Sequence, residues 1–266
     1  MLDQFNREIH YLRISITDKC NLRCTYCMPE EGVPFKPHSA IMSFEDIVKV
    51  VEAAAELGIN KIRLTGGEPL VRKDVVKLVR MINKVEGITH IGMTTNGVLL
   101  DKLAEPLKMA GLDSVNISMD TLNPDRYKKI TRIGDISYTL NGIEAAIKAG
   151  FKKIKINVVV MEDTPDTEIR DMEEFCSKKG LTLQLINHYD LSSEKKNTYK
   201  FDRPPKCAVC NRIRLTADGI LKPCLHSNQE IPVNPENIIS SLKQAILDKP
   251  EKGSVCTNRN MIEIGG

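Results

Sequence analysis

The sequence predicts an α/β fold built on a parallel sheet and followed by a second lobe. Six short β-branched runs alternate with amphipathic stretches, the unusual residues gather where those runs end, and the alternation stops near residue 190. Consecutive βα units connected by right-handed crossovers give a curved sheet, either an open doubly wound sheet or a partial (βα) barrel.

The first strand is YLRISIT, beginning at Tyr11. A helix follows over 43–57, with Ser43 and Asp46 as its capping pair and Gly58 at its end. KIRLTG is the second strand, a helix covers 73–85, and HIGMTTN is the third strand. LLDKLAEPLKMAG is helical, SVNISMD is the fourth strand, and a helix lies near 138–149. KIKINVVV is the fifth strand, a helix spans 166–179, and LTLQLIN is the sixth strand. Gly111, Gly150 and Gly180 fall where helices should stop. Next comes LSSEKKNTYKFDRPPK, polar, basic and carrying a double Pro, which reads as a linker with a solvated face. The chain thus divides into a body over 1–190 and a linker with a C-terminal lobe over 191–266.

At 266 residues, 41% hydrophobic and 27% charged, the chain has the composition of a soluble globular protein. No apolar run approaches the roughly 20 residues of a membrane span. The opening MLDQFNREIH has no apolar secretory core, so the expected location is the cytoplasm, with no membrane association. A net charge of +3, with Lys and Arg spread along the chain, does not point to nucleic acid, but it suits an anionic small molecule.

Eight cysteines in a cytoplasmic chain indicate metal or redox chemistry rather than disulfides. Six form two tight groups, Cys20/Cys24/Cys27 and Cys207/Cys210/Cys224, while Cys176 and Cys256 stand apart. Cys176 fits the core face of an amphipathic helix. The first group offers three thiolates within one loop, enough for three irons of a cubane cluster, and leaves one iron open to an outside ligand. A structural zinc site is the alternative, although such sites take four ligands and no fourth Cys or His is near in sequence. The second group has the same two readings, its zinc version being completed by Cys256. Arg212 and Arg214 follow immediately, and guanidinium groups suit an anionic substrate.

C-x3-C-x2-C after the first strand, with Gly66-Gly67-Glu68-Pro69 after the second, resembles the radical S-adenosylmethionine (SAM) superfamily. The resemblance implies a partial (βα)6 barrel of the TIM type with a C-terminal iron–sulfur lobe. It implies SAM chelated to the open iron of a [4Fe–4S] cluster on Cys20, Cys24 and Cys27, and release of a 5′-deoxyadenosyl radical. Tyr26, Gly67, Glu68, Ser118 and Tyr189 would then contact SAM.

The segment CNRIRLTADGILKPCL and the terminal Gly265-Gly266 resemble the GTP 3′,8-cyclase family of molybdenum cofactor biosynthesis, over nearly the whole chain. That resemblance implies a lyase that binds GTP on a second [4Fe–4S] cluster, held by Cys207, Cys210 and Cys224, and converts it to 3′,8-cyclo-7,8-dihydro-GTP. The implied substrate contacts are Arg13, Lys61, Arg63, Thr94, Lys155, Arg212 and Arg214. Arg63, Lys155, Gly265 and Gly266 are the implied catalytic positions. The implied partners are an electron donor and, downstream, cyclic pyranopterin monophosphate synthase, and a homodimer is compatible.

Departures from the family pattern are local. Gln184 stands where the family has an active-site Arg, INHYDLSS replaces an acidic and apolar stretch, and the segment before Cys207 is shorter by several tens of residues. Another nucleotide or a peptide is therefore the alternative substrate, and a non-catalytic iron–sulfur or zinc protein the alternative of another class. Asp120 reads equally as a helix cap or a ligand. His10, His38, His90, His188 and His226 lack metal-like spacing and read as structural or solvated.

Overall fold

The computed structural model describes residues 1–196, 199–201 and 204–265. Its body alternates β1 (Tyr11–Ser15), α1 (Phe44–Glu56), β2 (Lys61–Thr65), α2 (Val75–Ile82), β3 (His90–Thr95), α3 (Leu100–Met109), β4 (Ser114–Ser118), α4 (Pro124–Thr131), α5 (Ile136–Lys148), β5 (Lys153–Val160), α6 (Asp166–Lys178) and β6 (Thr182–Asn187). The C-terminal part adds β7 (Arg212–Leu215), β8 (Ile220–Lys222), β9 (Ile231–Pro232), α7 (Ile238–Leu247) and α8 (Met261–Ile264).

Local chemistry explains the helix ends. Ser43 Oγ accepts from Asp46 N at 3.0 Å at the start of α1, and Gly58 beyond it takes the left-handed φ of 84° that a side chain would resist. The short α4, which the sequence pattern does not predict, is capped by Asn123 Oδ1 accepting from Arg126 N at 3.0 Å.

One sheet runs in the order β6-β5-β4-β3-β2-β1-β7-β8-β9. From β1 to β6 the order never reverses, so there is no switch point where helices change face. Right-handed crossovers then put the helices on a single face, which is the partial barrel and not the doubly wound sheet. The sheet does not close, since β6 and β9 form its two edges.

β7 pairs in parallel with β1, which extends the parallel array into the C-terminal part, and β8 and β9 follow antiparallel. Ile14, Ile62, Met93, Val115 and Ile156 point toward the helices and are almost fully buried in the main core. At 25 cal/mol per Å² of apolar area, such burial stabilises by about 2 kcal/mol per side chain. Alternate residues on the same strands face the inside of the curve, where the polar side chains collect.

Candidate functional site

Register places the cations. β7, β1 and β2 pair without offset, so Arg212, Tyr11 and Lys61 form one row and Arg214, Arg13 and Arg63 the next. Side chains two apart on a strand share a face, which brings both rows to the concave side. Arg63 continues opposite Gly92 on β3, where a Cβ would lie 2.7 Å from the guanidinium. That position must be glycine for Arg63 to lie flat, with Nε donating to Tyr11 Oη at 2.6 Å and Nη1 to Met93 O at 3.0 Å.

These groups line a cavity of about 950 Å³ together with Thr94 and Lys155. All seven side chains predicted for the substrate are thus brought together. Cys210 and Cys224 lie on the same wall. Gln184 is there too, donating to Asn157 Oδ1 at 3.0 Å. Asn116 Nδ2 reaches the same Asn157 oxygen at 3.5 Å, so three amides cluster on this wall.

A second cavity, about 180 Å³, is lined by Cys20, Cys24, Cys27, Tyr26, Gly67, Glu68, Ser118 and Tyr189, so the side chains and backbone predicted for SAM also converge. Thr94, Asn157, Ile186 and Tyr189 line both cavities, which makes them neighbours across one wall.

The glycines of the second motif allow this closeness. A Cβ on Gly67 would lie 2.4 Å from Lys19 O, and one on Gly66 2.5 Å from Thr17 O. Instead Gly67 N donates to Thr17 O and Glu68 N to Lys19 O, both at 2.8 Å, which fastens the loop to the entrance of the Cys segment. Glu68 accepts from Leu70 N, Thr95 Oγ1 and Asn96 N, yet burial prevails and lifts its carboxyl to about 7. Asp120 is neither helix cap nor exposed acid. It accepts from Tyr26 Oη and Val159 N, both at 2.8 Å, and burial raises it to about 6.

All eight cysteines are free thiols. Burial pushes the first group up, Cys20 to about 11 with Glu68 adding to it, Cys27 to about 12 and Cys24 well up with neighbouring thiols and Asp120 adding to both. A bound metal cation reverses that cost by holding thiolates outright. Among the described residues no three His, Cys, Asp or Glu converge on one point. A cubane asks for less, since each of its thiolates binds a different iron.

The second group has the opposite surroundings. Lys195 Nζ donates to Cys207 Sγ at 3.1 Å. Burial acts to raise Cys210, but Lys249 and Arg212 outweigh it and bring the thiol down to about 7. Three thiols on the wall of the smaller cavity, and Cys210 and Cys224 on that of the larger with Cys207 beside Lys195, fit iron–sulfur ligation.

Cys256 is buried with Leu191, Ile264 and Tyr189 and lines neither cavity. Cys176 is buried in the main core.

The tail ends in α8, whose capping box joins Asn260 and Glu263. Arg259 holds it in place through Glu230 at 2.8 Å and Asp218 at 2.9 Å. Gly265 O then accepts from Arg214 Nη1, and a Cβ on Gly265 would lie 2.2 Å from Thr65 Oγ1. Gly266 lies outside the described residues.

Several residues at the site carry no signal in the sequence reading. Lys195 belongs to the linker read as solvated. Here the chain folds back, its backbone N–H bonds Ser254 O, and its ammonium enters the cavity wall. Lys249 and His226 also line that wall, His226 against the Tyr189 ring at 5.1 Å between centroids. His10 and His90 are there as well, and His188 lines the smaller cavity.

Residues 14–176 match the model of the radical SAM superfamily. A GTP 3′,8-cyclase of Alkaliphilus oremlandii is 42% identical over a 320-residue alignment covering all of both chains. One from Petrotoga mobilis is 41% identical over 323 residues, again covering both chains fully. Among solved structures, Streptococcus suis SuiB bound to S-adenosylmethionine superposes with a TM-score of 0.70 at 18% identity, over 91% of this chain and 66% of that one. anSMEcpe with bound AdoMet gives 0.65 at 18% identity, over 96% and 79%. These two show the shared fold. With the matched superfamily region and relatives aligned end to end, the chain is a radical SAM enzyme, dependent on SAM and [4Fe–4S] chemistry, and belongs to the GTP 3′,8-cyclase family.

Proposed function

We propose that the enzyme converts GTP to 3′,8-cyclo-7,8-dihydro-GTP, with the smaller cavity for SAM and the larger for GTP. One observation carries this reading: two registered rows of cations line a cavity that shares a wall with the Cys20/Cys24/Cys27 cavity. A triphosphate needs the first, and hydrogen abstraction by a radical formed next door needs the second. When bound at Cys20, Cys24 and Cys27, a [4Fe–4S] cluster with SAM supplies the 5′-deoxyadenosyl radical.

In this reading Arg13, Lys61, Arg63, Lys155, Arg212 and Arg214 take the phosphates, and Thr94 at the shared wall orients the ribose 3′-hydrogen toward SAM. Tyr26, Gly67, Glu68, Ser118 and Tyr189 position SAM itself. Cys207, Cys210 and Cys224 hold a second cluster near the base, and Gly265 and Gly266 reach the reacting centre. Arg63 and Lys155 are placed to stabilise charge as the ring forms. An electron donor, cyclic pyranopterin monophosphate synthase as the next enzyme, a cytoplasmic location and a homodimer belong to the same proposal.

Gln184 and the shortened segment before Cys207 favour one second reading, the same chemistry on another nucleotide. Equilibrium binding separates the two. GTP should bind well above ATP or CTP, and above guanosine, because charge-assisted contacts contribute roughly 1.5–3 kcal/mol each. Replacing Cys207, Cys210 and Cys224 with Ala should remove GTP binding while sparing uncoupled SAM cleavage. Equal affinity for all three triphosphates would favour the second reading.

A further inference from the structure

Lys195 and Lys249 form an arrangement that the substrate site does not require. Lys249 is 2% exposed and has no carboxylate within ion-pair distance among the described residues. Its ammonium donates to Arg212 O at 2.8 Å and Pro223 O at 2.9 Å, carbonyls two residues after Cys210 and one before Cys224, and its charge is felt at the Cys210 thiol. Lys195, on the opposite side, donates to Cys207 Sγ at 3.1 Å and to Pro205 O at 3.0 Å. A buried ammonium without an acid is costly unless a negative group faces it. Among the described residues the only candidates here are the cysteine sulfurs, which become negative when they ligate iron.

Among the described residues no Lys or Arg is hydrogen-bonded to Cys20, Cys24 or Cys27; the Cys20 sulfur accepts from Leu22 N and Asn96 Nδ2, and Glu68, Asp120 and neighbouring thiols add to burial in raising the three thiols.

We infer that Lys195 and Lys249 are the counter-charges of the second cluster, one ammonium hydrogen-bonded to the Cys207 sulfur and the other buried among the carbonyls beside Cys210 and Cys224, and that they hold its reduction potential up. The assignment rests on the two-cluster reading above. Reduction adds one electron and makes a thiolate-bound cluster more negative, so a cation at the sulfurs favours the reduced form, as do N–H···S hydrogen bonds. The two cluster sites are thereby made unequal: Glu68 lies beside the first and the ammonium groups of Lys195 and Lys249 beside the second.

The test uses the full chain with Cys20, Cys24 and Cys27 changed to Ala, reconstituted anaerobically so that the second cluster alone remains at about four irons. Its midpoint potential is read by redox titration with dithionite, followed by EPR, in the absence of SAM and GTP. Lys249→Met and Lys195→Met should each shift the potential down, and Lys249→Arg and Lys195→Arg should leave it near the parent value. If Lys249→Met fails to hold iron because Arg212 and Pro223 lose their donor, Lys195→Met, whose site is half-buried, decides. An unchanged potential in Lys195→Met with about four irons overturns the assignment. So does a loss of GTP affinity in the Met variants with the potential unmoved, which would make the lysines phosphate ligands. A parent that binds no iron contradicts the two-cluster reading, and the assignment with it.

Discussion

Tyr11 sits inside the cation rows, its hydroxyl accepting from Arg63, with the Lys61 ammonium 5.1 Å from its ring centre. Burial alone would raise the phenol, but Arg13, Arg63 and Arg212 bring it down to about 8. Below that pH Tyr11 is neutral and leaves the cations to an incoming anion; above it, the phenolate competes for them. GTP affinity should therefore fall as pH rises through about 8, by up to about tenfold per pH unit. Tyr11→Phe should remove that dependence, as read by equilibrium binding from pH 7 to 9.5. An identical pH profile in the variant would place the titrating group elsewhere. Tyr11 was legible in principle, because it stands two residues before Arg13 and strand alternation puts both on one face. Charge drew the sequence reading to Arg13, Lys61 and Arg63 and past the tyrosine between them. His226 and Lys249 had no comparable signal, since nothing local marks a lone His or a Lys before Pro250 as facing a cavity.

Elements meet at close approaches that glycine permits. Gly66 and Gly67 let the loop after β2 press on Thr17 and Lys19, and Gly265 lets the tail lie on Thr65. The tail is proposed to act at the site: α8 is anchored by Arg259, and beyond it Gly265 touches Arg214 and Thr65. Deleting Gly265 and Gly266 should leave iron content and melting temperature unchanged while lowering product yield by about tenfold or more, within the range lost when one positioning contact goes. Unchanged yield would demote the tail to a passive end. The six strands of the body were legible from their period, and the motif loops from their odd residues. The partner of β7 was not, because alternation identifies a strand without naming its neighbour. The short α4 was missed for want of a full amphipathic repeat, although Asn123-Pro124 is a fair start signal.

At the scale of the molecule, the chain binds its beginning to its end around the second cysteine group. Arg7 pairs with Asp3 at 2.6 Å and donates to Cys207 O, Pro250 O and Glu251 O, so the first residues help set the shape of the last lobe. Two cavities then share a wall, one lined by the half-buried thiols of Cys20, Cys24 and Cys27 and by Glu68, the other by cations. No helix among the described residues is long and apolar enough to cross a membrane. The alignments to full-length relatives run to 320 residues against 266 here, in keeping with the shortened segment before Cys207, and yet the cation rows are assembled without it. What that shortening and Gln184 leave unaltered is the adjacency of the Cys20/Cys24/Cys27 cavity and the cation-lined cavity, on which the functional proposal stands. Product analysis after anaerobic incubation with SAM, dithionite and GTP tests it most directly. The account requires 3′,8-cyclo-7,8-dihydro-GTP together with 5′-deoxyadenosine, and recovery of unchanged GTP alongside 5′-deoxyadenosine would contradict it.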